Sequence, residues 1–378
     1  LKGDGTVWAW GDNINDQLGG SSKTHEDIPG QVYNISDVIA VSAGYMHSIA
    51  LKSDGTVWAW GDNHFGQLGL GDTNDRRFPV QVGLTGVIAI SAGGNHTVAM
   101  KNDGTLWAWG KNEFGQIGDG STANRLTPVH VTGILDVIAI SAGRYHTNAI
   151  KGDGTVWAWG RNNISQLGDL THADRHTPIQ VRLVDDAVAI CSGNMRQHSH
   201  VLKNDGTLWA WGGNYSAGVS RSHFPAQVTV ISNVIAVSDG SSHIMALKND
   251  GSLWTWGGNV YGQLGNGTSQ YQTTPIEIIS LGVNTSPTIN ATIPSQTREE
   301  NTPAWTIDLT PFENDSQDTG SDLDWSVSGV DTALASAVIT DMDEDILTIT
   351  PVADATGSDI ITLTLTDSGG LTVSQDIT

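Results

Sequence analysis

The apolar positions of this chain fall into short runs that alternate with polar, glycine-rich breaks for most of its length. One stretch serves as the template. Val87-Ile88-Ala89-Ile90-Ser91-Ala92 is a nearly continuous apolar run, the pattern of a short strand buried on both faces. Gly93-Gly94-Asn95 turns the chain, and His96–Lys101 supplies a second strand. Asn102-Asp103-Gly104 is a tight turn, because Asp-Gly tolerates the positive φ that a short hairpin requires. Thr105–Gly110 is a third strand in which Trp107 and Trp109, two residues apart, point to the same face. A long polar loop, Lys111–Thr127, leads to a fourth strand at Pro128-Val129-His130-Val131.

This unit recurs. Its Trp-Gly pair stands at Trp10-Gly11, Trp60-Gly61, Trp109-Gly110, Trp159-Gly160, Trp211-Gly212 and Trp256-Gly257, at intervals of 50, 49, 50, 52 and 45 residues. A period near fifty marks a stacked repeat architecture. Four short antiparallel strands per repeat predict the blades of a β-propeller, with small residues near a crowded axis and paired Trp rings between blades.

Three elements recur in register and carry a family resemblance: Gly-x-x-His, as in Gly44…His47, Gly93…His96, Gly143…His146 and Gly240…His243; Asp-Gly-x-x-Trp-x-Trp-Gly; and Gln-Leu-Gly, as in Gln67–Gly69 and Gln166–Gly168. The fourth Gly-x-x-His is stretched to Gly193…His198, and the fifth copy lacks Gln-Leu-Gly. This phrase resembles the regulator of chromosome condensation repeat family over roughly residues 1–282. The resemblance implies a propeller, seven-bladed in most members. Six Trp-Gly strands against five Val-Ile-Ala-type strands predict an N-terminally truncated β-propeller of about six four-stranded blades. Either the ring is incomplete or its first blade lacks inner strands, and an upstream segment is expected before Leu1. Relatives implied by the resemblance include nucleotide exchange factors for small GTPases and secreted inhibitors of β-lactamase.

Beyond a linker at 283–297, alternating runs at Trp305–Leu309, Asp324–Val327, Ile346–Ile349, Ile360–Thr366 and Leu371–Ile377 predict an all-β second domain over 298–378, a β-sandwich. Its phrases Asn314-Asp315, Leu323-Asp324-Trp325 and Leu365-Thr366-Asp367 resemble bacterial cadherin-like or immunoglobulin-like modules of secreted and surface proteins.

Charge sharpens the division. The net charge is −22, and residues 283–378 hold one base (Arg298) against 17 acids. Such a chain lacks the basic footprint that phosphate binding needs, which argues against nucleic acid as a partner. No apolar run is long enough to span a membrane. The single cysteine, Cys191, excludes a disulfide framework, and its apolar run reads as core. A metal site built on cysteine is not expected. The ring of His47, His96, His146, His198 and His243 is read as structural, since equivalent residues on separate blades stand too far apart to share one metal.

Candidate function lies in what the repeat leaves free. The Gly-x-x-His turns and the long loops open on one face, and residues that differ between copies concentrate there: Tyr45, Met46, Asn95, Arg144, Tyr145, Met195 and Arg196, with Lys111 and Arg161 after Trp-Gly and Arg76, Arg77, Arg125 and Arg175 in the long loops. Loops on a rigid scaffold, bearing Arg and Tyr, suit partner binding. In the tail, Glu300, Asp315, Asp318 and Asp367 fall where cadherin-like modules place calcium ligands, making Ca2+ the one cofactor to weigh. The acidic-arginine motif of those modules is absent, and a solubilising acidic surface is the competing reading. No catalytic signature groups His, Ser, Asp or Cys. The sequence therefore predicts a monomeric, non-enzymatic binding protein, extracellular or at the cell surface, that recognises a protein or glycan through one propeller face. The alternatives are an exchange-factor-like regulator and an enzyme with a site in the propeller channel.

Overall fold

The computed structural model describes residues 1–193, 197–213, 224–280, 287–289, 292–297, 303–314, 323–340, 345–366 and 371–378. The chain divides into two compact units, Leu1–Ser280 and Leu281–Thr378.

Unit 1 is a row of β-blades. The second blade shows the plan: Val38–Ala43, His47–Lys52, Val57–Gly61 and Arg76–Gln81 form one antiparallel four-stranded sheet in chain order. Four more sheets of this form follow, the third blade from Val87–Ala92, the fourth from Val137–Ala142, the fifth from Ala187–Ser192 and the sixth from Val234–Asp239. The first sheet has only two strands, Trp8–Asp12 paired with His25–Gln31. They occupy the third and fourth places of a blade, so the first sheet lacks inner strands. The first strands of successive blades touch one another, which places them nearest the axis.

The blade phrase explains itself through hydrogen bonds. In each Asp-Gly turn the carboxylate accepts from the backbone and hydroxyl of the residue two on, as Asp54 Oδ1 does from Thr56 at 3.0 and 2.6 Å. These bonds hold the Asp54 carboxyl below the usual carboxylate range. The first Trp of each pair donates to that same hydroxyl, as Trp58 Nε1 does to Thr56 Oγ1. In the second to sixth copies the second is buried between blades, and Trp60, Trp109, Trp159, Trp211 and Trp256 are among the largest fully buried side chains, whereas Trp10 of the first copy is exposed.

One expectation fails. The first strands are not buried on both faces, because Ile39, Ile88, Ile138, Val188 and Ile235 are about half exposed. A register shift follows the first residue of each of these strands, as between Val38 and Ala40, and this bulge re-aims the aliphatic residue at its centre.

Unit 2 holds two three-stranded antiparallel sheets. One orders Trp305–Asp308, Ile346–Pro351 and Ala335–Thr340, the other Asp324–Ser328, Ile361–Thr366 and Thr372–Ile377. Both contribute to one core that includes Trp325, Leu347, Leu363 and Leu365. The strand Ala335–Thr340 was not foreseen, since Ala-Ser-Ala-Val-Ile-Thr alternates too weakly to stand out.

Candidate functional site

The joint between blades has three recurring bonds. The carbonyl of the Gln in Gln-Leu-Gly accepts from the next blade: Gln67 O takes Trp109 Nε1 at 2.9 Å and Thr97 Oγ1 at 2.8 Å. The His of Gly-x-x-His reaches forward as well, with His47 Nε2 3.1 Å from Thr97 Oγ1 and His96 Nε2 3.0 Å from Thr147 Oγ1. The first strand closes the joint, as Ala92 N donates to Ser42 Oγ and Ala142 N to Ser91 Oγ. Burial pushes these histidines down, His47 to about 4 and His96 and His146 to about 3, so the rings are neutral. The histidine ring is thus structural in the second to fourth blades.

The loop face gathers part of the expected set into one cluster. Tyr145 is its centre. The Arg144 guanidinium lies 5.0 Å from the Tyr145 ring and 5.9 Å from that of Tyr45. Arg161 lies 5.3 Å from Tyr145 and 4.6 Å from Phe114, and Lys111 Nζ lies 5.6 Å from Tyr145 and 4.7 Å from Phe65. Phe114 meets Tyr145 edge to face at 5.3 Å. The cluster therefore spans the second, third and fourth blades. Backbone bonds fix it: Lys111 N donates to Asn95 O and Arg161 N to Tyr145 O, while Asp62 N donates to Met46 O. Asn95 and Met46 thus act through their carbonyls, and both are half-buried.

Other expected residues lie elsewhere. Arg76, Arg125 and Arg175 begin the fourth strands and are tied back to their own loops, Arg76 to Asp72 at 2.7 Å and Arg175 to Asp169 at 2.6 Å. Arg125 bonds Asp119 in the same way. Arg77 sits beside Phe78. Met195 and Arg196, and the calcium candidates Glu300, Asp315, Asp318 and Asp367, lie outside the described residues. Phe65 and Phe114 were missed because they precede Gly-Gln and read as part of the blade phrase. The signal was present: the same place holds Asn15, Ile164 and Tyr261 in other copies.

A second grouping was also missed. Cys191, His200 and Asp239 place ligand-type atoms within 4.8 Å of one another at the joint of the fifth and sixth blades. The sequence reads Cys191 as core, and the structure buries the thiol with an imidazole and a carboxylate beside it. One chain needs only one thiol when His and Asp complete the set. Burial and the neighbouring Asp239 carboxylate push the Cys191 thiol well up, the reverse of what a nucleophile needs.

The RCC1-like domain model matches residues 1–293. Human WBSCR16 is similar at 23% identity with a TM-score of 0.67, covering 74% of this chain and 78% of that one. Prp20p from Saccharomyces cerevisiae, described with its binding properties to Gsp1p and histones, is similar at 23% identity with a TM-score of 0.65, covering 74% of each chain. Yeast RCC1 (Prp20) bound to Kap60 is similar at 18% identity with a TM-score of 0.64, over 94% of this chain and 78% of that one. These likenesses establish the fold. No curated protein sequence matches significantly. The expected extracellular or cell-surface location is overturned by this company. A propeller of the same family binds histones, which are partners inside the cell, and nothing in the matches carries the secreted reading.

Proposed function

The chain belongs to the RCC1-like domain family, and from that premise we propose that it is a non-enzymatic protein-binding propeller whose contact site is the cluster around Tyr145. The observation that carries this reading is the stacking of three cations on four aromatic rings contributed by three blades. Among the described residues neither Arg144 nor Arg161 has a carboxylate partner, although most other arginines of this face do. Aromatic rings and guanidinium groups held rigid lose little entropy on binding and serve as interface anchors. The free positive charge selects a partner surface that presents carboxylates. The solved neighbour Prp20p binds proteins, which agrees with this class of partner.

An exchange-factor-like regulator is the second reading, and family membership favours it. The acidic second unit is read in the same proposal as an immunoglobulin-like sandwich module, supported by its two three-stranded sheets around one core.

Affinity capture from cells that make the protein tests the site. The triple variant Arg144→Glu, Tyr145→Ala, Arg161→Glu is expected to lose at least about tenfold of its captured partner, as removal of hot-spot anchors does. Unchanged capture by the folded variant sinks the proposal.

A further inference from the structure

The joint of the fifth and sixth blades departs from the earlier ones at three positions that meet there. Where Ser42, Ser91 and Ser141 stand in the first strands of earlier blades, this one has Cys191. Opposite it in the sheet, in the place of Ile49, Val98 and Asn148, is His200. In the place of Ala43, Ala92 and Ala142, the sixth blade has Asp239. Three residues with no ligand character give way together to a thiol, an imidazole and a carboxylate.

A fourth group joins them. His198 continues the histidine ring, but the residue that should receive its Nε2 is Ile244 in place of a Thr or Ser. The His198 side chain is 1% exposed, and among the described residues neither ring nitrogen has a hydrogen bond. Its Nε2 lies 3.6 Å from Asp239 Oδ1, and its ring centre 5.1 Å from that of His200. His200 Nδ1 lies 3.1 Å from either Asp239 oxygen. A buried, charged carboxylate beside a bare imidazole and a thiol is costly unless a cation completes the set.

We propose that Cys191, His200 and Asp239 bind one Zn2+, with His198 as the fourth ligand. The donor set decides the metal: sulfur, imidazole nitrogen and carboxylate together suit zinc, whereas calcium and magnesium take oxygen. Ligands about 2.0–2.3 Å from a tetrahedral zinc stand roughly 3.3–3.8 Å apart, so atoms already within 4.8 Å need little movement. Binding releases the Cys191 proton to solvent, and the thiolate formed is stabilised by the metal. The ion would clamp two blades at the joint where Trp256 Nε1 has no partner among the described residues.

The test uses the full chain and zinc itself. After purification without chelator, wild type is expected to hold about one equivalent of zinc by mass spectrometry of the metal. The variant Cys191→Ser, His200→Val, Asp239→Ala, which restores the residues of the third blade, is expected to hold less than about a tenth of that while keeping its β-sheet circular dichroism. Co2+ exchanged into wild type should give a thiolate-to-metal charge-transfer band that Cys191→Ser abolishes. Absence of bound zinc in wild type and after incubation with it, equal zinc in the triple variant, or cobalt bound without the thiolate band would each overturn the assignment.

Discussion

The joint of the third and fourth blades and the joint of the fifth and sixth are built on the same backbone by different chemistry. At the first, Trp159 Nε1 donates to Gln116 O at 3.0 Å, His96 Nε2 meets Thr147 Oγ1 at 3.0 Å, and Ala142 N donates to Ser91 Oγ at 2.9 Å. At the second, Trp256 Nε1 and both nitrogens of His198 have no hydrogen bond among the described residues, and Cys191, His200 and Asp239 come together. The repeated phrase is a device for joining blades. Where it lapses, the chain places groups there that are expensive to bury without a partner. The difference teaches that a repeat's exceptions carry more information about function than its regular copies.

The largest expected effect comes from the glycine of Gln-Leu-Gly. At Gly118, φ is +81° and an added Cβ would stand 2.6 Å from Trp159 Nε1. At Gly265 in the last blade φ is +68°, but the nearest atom is Ile278 Cδ1 at 3.6 Å. Gly118→Ala should therefore cost about 3 kcal/mol or more in urea unfolding, with ~1–2 from the left-handed backbone and ~1–3 from overpacking at the joint. Gly265→Ala should cost only the backbone share, about 1–2 kcal/mol. Equal losses at the two sites would show that the glycine serves its own loop and not the joint.

Most of this was legible in the sequence, and the rest was not for physical reasons. The blades, their strand order and the loop face follow from the spacing of Trp-Gly, Asp-Gly and Gly-x-x-His, because each is a local rule of turn or strand. Tyr45, Arg144, Tyr145, Lys111 and Arg161 were marked because they vary against a constant frame. That they form one cluster, while Arg76, Arg125 and Arg175 turn back to Asp72, Asp119 and Asp169, depends on side-chain reach, which spacing does not encode. The bulge that exposes Ile88 has no apolar-pattern signature. Cys191 and His200 face each other within one hairpin of the fifth blade, and Asp239 meets them only across the joint. Aligning the copies position by position, and asking where Ser, an aliphatic residue and Ala change together, would have found them.

A smaller effect tests the regular joints through pH. His96 is held neutral by burial, with neighbouring His146 and His47 adding to the depression, so its folded pKa is about 3 against an ordinary value near 6.5. Below pH 6.5 the unfolded chain takes up a proton that the folded chain refuses, so stability falls as pH falls, until the native ring also titrates near its own pKa. The slope is about 1.4 kcal/mol per pH unit for this residue. His96→Gln, which stays uncharged, should lose roughly 2 kcal/mol less than wild type between pH 6.5 and 5, read from denaturant midpoints at each pH. Parallel curves for the two proteins would mean that His96 is already protonated in the folded joint.

The smallest effect isolates one hydrogen bond. Trp159→Phe and Trp256→Phe both remove part of a fully buried indole, so they share the loss of packing. Among the described residues only Trp159 also gives up a bond, to Gln116 O, and that carbonyl keeps Thr147 Oγ1 as a partner at 2.8 Å. The carbonyl is therefore not orphaned, and the excess cost at Trp159 should be the net worth of a single bond, about 1 kcal/mol. Trp256→Phe has the opposite bias, since it removes a buried N–H that has no acceptor among the described residues. The two substitutions should thus separate by about 1–2 kcal/mol, Trp159 the costlier. If Trp256→Phe is as damaging, its indole N–H is satisfied in solution, and the joint of the fifth and sixth blades is a regular one after all.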